Sequence, residues 1–229
     1  MIKDPPLLTI KRTFKRPSAA LLARFKGAQT GHLVDAMEGR GALAHVIKPI
    51  DPERAHFVGA ALTCETGPSD NLAILAALAL AEPGDAIVVA GDAFTATAVV
   101  GDNVAMMAKN KGVTAIVIDG MARDKDGIVG VGLPLFAHGI TPNSCVKTGP
   151  GTVGLPVVAG GVAVAPGDVV VGDRDGVVIV PAALAEHVAG QLDEIRRLEE
   201  EMQGKIRKGM THPDAIAALL KSDRVRYVD

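Results

Sequence analysis

Residues 101–124, GDNVAMMAKNKGVTAIVIDGMARD, join a helical pattern directly to a buried-strand pattern, and that junction restricts the fold more than any other stretch of the chain. Val104, Met107 and Ala108 recur at helical spacing behind an Asp-Asn start, Lys109 and Lys111 occupy the last turn, and Gly112 supplies the stop. The β-branched run at 113–118 has the length and composition of a buried strand. A helix followed this closely by a strand doubles back. At ~1.5 Å per helical residue and ~3.3 Å per strand residue, the carboxyl end of the strand comes level with the amino end of the helix. Asp102 is therefore expected beside Arg123 and Asp124, across 20 intervening residues.

Such a meeting point holds the parts of a small anion site. The first-turn amides of Gly101, Asp102, Asn103 and Val104 suit a carboxylate. Arg123 adds a planar, permanently charged fork that fits a carboxylate as well. Asp102 and Asp124 offer hard oxygens for a divalent cation, directly or through water. The same residues also allow a plainer arrangement, in which Asp102 only caps its helix and Arg123-Asp124 sit in a solvated turn. Spacing alone leaves both open.

Composition narrows the partners. At 229 residues the chain can bury one sizeable core without needing a second. A formal charge of −2 provides no basic field for nucleic acid or anionic lipid, and no Trp with one Tyr argues against base-stacking surfaces. Apolar runs fall short of the ~20 residues that span a bilayer. The start, MIKDPPLLTIKR, lacks the apolar block of a signal peptide, so a cytoplasmic location is expected. Cys64 and Cys145 have no paired spacing and read as buried free thiols.

Taken in order, residues 1–16 cluster Pro with Lys and Arg, as expected of an arm on the body or on a neighbour. Pro17-Ser18 opens a helix to about Lys26, closed by Gly27, and Thr30 reads as the cap of a second short helix. His32 and Asp35 have metal-pair spacing there, but with no third ligand nearby surface roles are expected. Strand patterns follow at 45–50 and 56–66. GPSDN at 67–71 then opens a helix at 72–80, capped by Asp70 or Asn71. A turn at 82–85 leads into a buried strand at 86–90. The β-β-α-β-α-β order with short connections indicates an α/β domain. After Asp124, a KDG turn precedes expected strands at 128–131 and 135–137. Short valine-rich strands occupy 145–180, and no phosphate-loop or dinucleotide motif occurs in a strand-to-helix context. From 182 to about 208 an apolar stripe through Leu184, Val188, Leu192, Ile195, Leu198, Met202 and Ile206 marks one long amphipathic helix, with RRLEEEM as its solvated face and a further short helix at 214–220.

The Asp-x20-Arg-Asp spacing and the phrase VIDGMARD resemble the RraA-like family, as do GPSDN (67–71), AEPGDAIVVAGD (81–92), LPLFAHGITP (133–142) and VAVAPGDVVVGDRDGVVIVP (162–181). The likeness covers about 28–185 and resembles in particular the metal-dependent aldolases of 4-hydroxy-4-methyl-2-oxoglutarate and 4-carboxy-4-hydroxy-2-oxoadipate. It implies a single domain over 1–229, layered β/β/α like a swivelling domain, with short N-terminal helices and a C-terminal helical extension over 182–221 that begins with the long helix. It further implies a homotrimer or hexamer, a small 2-oxo acid substrate and Mg²⁺ or Mn²⁺ on Asp124. Arg123 would bind substrate and neutralise its charge, and Asp102 would orient a water as base. Pyruvate enolate would form from a 4-hydroxy-2-oxo acid or, by loss of CO₂, from oxaloacetate. The loop at 67–71 lies near the active site in that family, which makes Asn71 a secondary candidate, and a neighbouring subunit would contribute a carboxylate, Glu199 or Glu200. Gly127 stands where an acidic residue is expected, with Asp126 as a substitute one position earlier. His138 could do chemistry in a phosphoryl-carrier fold, yet it lacks the flanking loop such a carrier uses. The same family also contains a non-catalytic ribonuclease regulator.

Overall fold

The computed structural model describes residues 4–228, and the chain divides into two compact units, 1–192 and 193–229. In the first, β1 (Leu8–Ile10) lies parallel to a strand at 151–153, so the proline-rich arm is bound to the body. Arg16 locks it with a two-pronged hydrogen bond to buried Asp85, at 2.8 and 2.9 Å. Residues 1–3 of the expected arm lie outside the described residues. Helix α1 (Ala19–Arg24) is capped by Ser18, whose Oγ accepts the Leu21 N–H. Helix α2 (Thr30–Ala36) departs from expectation, because Thr30 is its first residue rather than its cap. Asp173, 143 residues away, accepts both the Thr30 N–H and its hydroxyl at 2.8 Å, a tertiary cap that no local pattern reveals.

Then come β2 (Lys48–Pro49), much shorter than expected, β3 (Phe57–Thr66), α3 (Leu72–Leu80), β4 (Asp85–Val100), α4 (Asp102–Asn110) and β5 (Ala115–Ala122). Next is α5 (Lys125–Val131), where a strand was expected at 128–131. Ile128 and Val131 are the buried pair, and a spacing of three suits a helix as well as β-branched composition suits a strand. Asp124 in the left-handed region (φ 58°) turns the chain into α5, and Gly132 (φ 73°) ends it. Strands β6 (Leu135–Ala137), β7 (Gly139–Ile140), β8 (Gly151–Val153), β9 (Val157–Ala159), β10 (Val162–Val164), β11 (Val169–Gly172) and β12 (Val177–Val180) complete the β structure.

The main sheet is mixed and runs β1-β8-β3-β4-β5-β6-β2, with β11 paired to β3 and β12, and β7 to β5. Its centre, β3-β4-β5-β6, is parallel. Alternate residues of that centre feed two cores, as the two-residue period of a strand requires. Leu62, Ile87, Val89, Ile116 and Ile118 pack with Ile74, Ala77, Val104, Ala108 and Ile128 from the helices. Ala61, Val88, Ala115 and Val117 pack instead with Phe136, Val157, Val164, Val170 and Ile179. A third core joins α1, α2 and the start of α6 (Ala185–Arg207) to β11 and β12. Strands buried on both faces read as continuous apolar runs, and each fully buried Ile or Leu contributes about 1.5–3 kcal/mol.

Residues 193–229 hold the rest of α6, followed by α7 (Asp214–Leu220). Leu198, Met202 and Ile206 are exposed along α6, and Ile216, Leu219 and Leu220 along α7. Arg197 pairs with Glu194 and Glu201, consistent with RRLEEEM as a solvated face. Among the described residues, no helix is long and apolar enough to cross a membrane.

Candidate functional site

Strands β4 and β5 end side by side. Their parallel register pairs Val100 with Ala122, and the Arg123 N–H donates to the Val100 carbonyl at 2.9 Å. Gly101 and Asp102 leave one strand end as Arg123 and Asp124 leave the next, so the doubling back expected from the helix–strand junction is what occurs. Open α/β sheets place ligands at such carboxyl ends.

A cavity of about 270 Å³ opens there, and Gly101, Asp102, Asn103, Val104, Arg123 and Asp124 all line it. Asp124 Oδ2 lies 3.2 Å from Arg123 Nε. The approach to the helix start is so close that a Cβ placed on Gly101 would stand 2.6 Å from Asp124 Oδ2. Asp102 does not cap by reaching along its helix. Its Oδ1 accepts the N–H of the adjacent Asn103 at 2.7 Å, which removes that amide from the cradle expected over 101–104. Its other oxygen rests over Gly127, where an added Cβ would come within 2.6 Å of Oδ2 and 2.7 Å of Asp102 Cβ. The glycine found where an acidic residue was expected is thus the floor on which Asp102 sits. Asp126 is exposed in the first turn of α5 and does not line the cavity, so it does not fill the missing place.

A further wall comes from residues that the sequence reading did not place at the site, Cys145 having been named only as a buried thiol. Ser144, Cys145 and Lys147 line it, and Arg123 donates to Ser144 Oγ at 2.6 Å, which fixes the guanidinium from a second side. Lys147 forms no ion pair among the described residues. The segment is irregular, and Asp70 holds it in place. Asp70 Oδ2 accepts the Thr148 and Gly149 N–H groups, and Oδ1 accepts the Leu72 N–H. Burial works against the Asp70 charge, but these donors outweigh it and hold the carboxyl below its ordinary range. Asp70 therefore supplies the capping side chain of α3, while Asn71 holds the N-cap position and makes no side-chain cap bond. Asn71 lines the cavity beside Leu75, Val99 and Met107, which supply an apolar flank.

Cys64 and Cys145 are both free. Burial pushes the Cys64 thiol up to about 12. Cys145 is only partly buried and is raised by the same cause, against the pull of Arg123 and Lys147. His138 does not line the cavity, and its Nε2 stands 3.0 Å from Asp119 Oδ1 without the alignment of a hydrogen bond. Glu199 and Glu200 lie exposed on α6, in the second unit.

Among the described residues, no three His, Cys, Asp or Glu side chains gather to enclose a metal. One or two carboxylates at an open, polar cavity suit instead a hard ion that keeps several of its waters, as Mg²⁺ does. Asp124, with Asp102 nearby, has the donor chemistry for such an ion.

Comparison with known proteins agrees with this architecture. The chain matches the family described as RraA-like: Aldolase/RraA over residues 30–179. A protein of Halalkalibacterium halodurans, provisionally named a 4-hydroxy-4-methyl-2-oxoglutarate aldolase, is 38% identical over 167 residues, which cover 73% of this chain and 79% of that one. The crystal structure of an uncharacterized protein from Pseudomonas syringae superposes with a TM-score of 0.75 at 27% identity, covering 86% of this chain and 97% of the other. Streptomyces coelicolor RraAS2, described as an unusual member of the RNase ES inhibitor RraA protein family, gives a TM-score of 0.75 at 28% identity, covering 83% and 100%. With its mixed α/β fold, large mixed sheet and long C-terminal helix, the chain belongs to the RraA-like family.

Proposed function

We propose that the protein is a divalent-metal-dependent aldolase that cleaves 4-hydroxy-2-oxo acids, such as 4-hydroxy-4-methyl-2-oxoglutarate, to pyruvate and a carbonyl product. The observation that carries this reading is the register Val100↔Ala122, which puts an arginine, two carboxylates and a helix start around one cavity. The name of the Halalkalibacterium relative supports the substrate class.

The substrate carboxylate is held at the start of α4, where unpaired N–H groups and the helix dipole favour negative charge. Arg123 is braced by Asp124 on one side and Ser144 on the other, so its remaining donors face the 2-oxo oxygen in a fixed orientation. As the C3–C4 bond breaks, its electron pair moves toward that oxygen, and Arg123 neutralises the charge where it develops. Asp124 would hold Mg²⁺ or Mn²⁺, which when bound supplies Lewis-acid polarisation of the 2-oxo acid. Asp102, seated on Gly127, orients the water that takes the C4 hydroxyl proton. The new carbonyl product departs, and protonation of the enolate at C3 gives pyruvate. Loss of CO₂ from oxaloacetate delivers the same enolate, so decarboxylation accompanies aldol cleavage. Lys109 Nζ, from the carboxyl end of α4, donates to the Val131 carbonyl, so Lys109 is not assigned as a Schiff-base lysine.

The test is pyruvate release from both substrates with Mg²⁺ and with EDTA. Activity only with the metal is expected, and no activity under either condition would contradict the reading. The likeness to RraAS2 favours a second reading, a non-catalytic regulator of ribonuclease activity through protein–protein binding. Inhibition of a ribonuclease by a protein that releases no pyruvate would establish it. In either case a homotrimer or hexamer is proposed, to be checked by light scattering.

A further inference from the structure

Asn71, a residue of the cavity wall, carries an unused and buried hydrogen-bonding group. The residue is 8% exposed, it lines the cavity, and its Oδ1 is buried with no hydrogen-bond partner. Chemistry fixes which way the amide faces. One end lies 3.2 Å from the Val99 carbonyl oxygen, and only the NH₂ end can face an acceptor, so Oδ1 is the atom left over. The side chain is not spent on capping α3 either, because Asp70 does that and Asn71 makes no side-chain cap bond. A buried acceptor left without a donor is costly, and in a cavity wall it selects a ligand that brings one.

The identity of that donor follows from the other groups present. Arg123, Lys147 and the start of α4 all line the cavity, and on the aldolase reading they are the groups for anionic and keto oxygens. A neutral carbonyl oxygen repels both of those, and with Leu75 and Val99 beside it, it suits an uncharged hydroxyl on a carbon skeleton. We propose that Asn71 Oδ1 accepts a hydrogen bond from the C4 hydroxyl of the 4-hydroxy-2-oxo acid. Asn71 is then the positioning residue that orients the C4 O–H bond for proton removal and selects hydroxylated substrates. This rests on the aldolase reading above. It goes beyond that reading because oxaloacetate reaches the same enolate with no C4 hydroxyl, and so offers Oδ1 nothing to accept.

The two reactions provide the test. In Asn71→Leu, kcat/KM for aldol cleavage is expected to fall about tenfold or more further than kcat/KM for oxaloacetate decarboxylation, the order of one lost hydrogen bond. Parallel losses, or no loss in either, would reduce Asn71 to a structural role and overturn the proposal. Should that variant not fold, the wild-type enzyme answers the question through inhibition of CO₂ release from oxaloacetate. A 4-hydroxy-2-oxo acid should inhibit at about tenfold lower concentration than its 4-deoxy counterpart, and equal constants would overturn the proposal. Wild-type protein that converts neither substrate would overturn the aldolase reading and this inference together.

Discussion

The two walls of the cavity are built in opposite ways. One is a continuous piece of chain in which β4, α4, β5 and the start of α5 bring residues 101–104, 123, 124 and 127 together through a parallel strand pair and its crossover. The other joins Asn71, at the start of α3, to the irregular segment holding Ser144, Cys145 and Lys147, with Asp70 as the fastening. On the proposed reading the first wall carries the groups that meet developing charge, while the second steadies Arg123 through Ser144 and shapes the space left for substrate. A regular crossover fixes geometry through backbone register, whereas the irregular wall depends on a few side-chain bonds. Substitutions on the two walls should therefore fail differently, the first in turnover and the second in positioning or stability.

The sharpest contrast is expected at Arg123 and Asp124. Arg123→Ala and Asp124→Ala should each lower turnover by about 10³-fold, the scale of a lost charge stabiliser; both positions are partly exposed, so the melting temperature should barely move for Arg123→Ala and fall modestly for Asp124→Ala, which puts alanine in the left-handed turn. Next is Gly127→Ala on the same wall. The new methyl group needs the space of Asp102, so kcat should fall by about 10²-fold through misplacement alone. A Gly127→Ala enzyme with full activity would show that Asp102 has no part in the reaction.

On the irregular wall the effects are smaller. Ser144→Ala removes one of the two braces on Arg123, and about a tenfold loss in kcat/KM is expected, consistent with one charge-assisted hydrogen bond. Asp70→Asn should act on stability, costing about 1–3 kcal/mol in urea unfolding near pH 7 as the bonds to Leu72, Thr148 and Gly149 weaken. Its pH dependence has a definite sign. Because the folded Asp70 carboxyl titrates below its ordinary range, its contribution is complete above about pH 4 and is lost as pH falls through the folded value. The gap between wild type and Asp70→Asn should therefore close in acid, and a gap that widened would contradict the assignment.

The same contrast explains what the sequence disclosed. The crossover wall was legible because helix period, stop glycine and strand composition sit in consecutive residues, and two rises per residue were enough to bring Asp102 to Arg123. The irregular wall was not. Nothing local in NSCVKT tells that Ser144 will meet Arg123, because the contact depends on Asp70 gripping Thr148 and Gly149. Asn71 entered as an alternative cap and, through the family resemblance alone, as a secondary site candidate, and which of Asp70 and Asn71 supplies the capping side chain of α3 is decided by those tertiary bonds. Misread elements have similar causes. Residues 128–131 form part of α5 because Asp124 starts the turn and α4 receives the buried pair. The strand expected at 86–90 runs to Val100 through register shifts at Phe94 and Ala98 that alternation does not show. Gly127 looked like a missing acid in the sequence and is, in three dimensions, the seat of one.

The most direct measurement is exchange of the methyl protons of pyruvate in D₂O, followed by NMR with Mg²⁺, for the wild-type protein and Arg123→Ala. Enolate formation at this cavity requires the wild type to exchange those protons and the variant to leave them in place. A wild-type protein that exchanges no faster than buffer, or a variant that exchanges as fast as wild type, would contradict it.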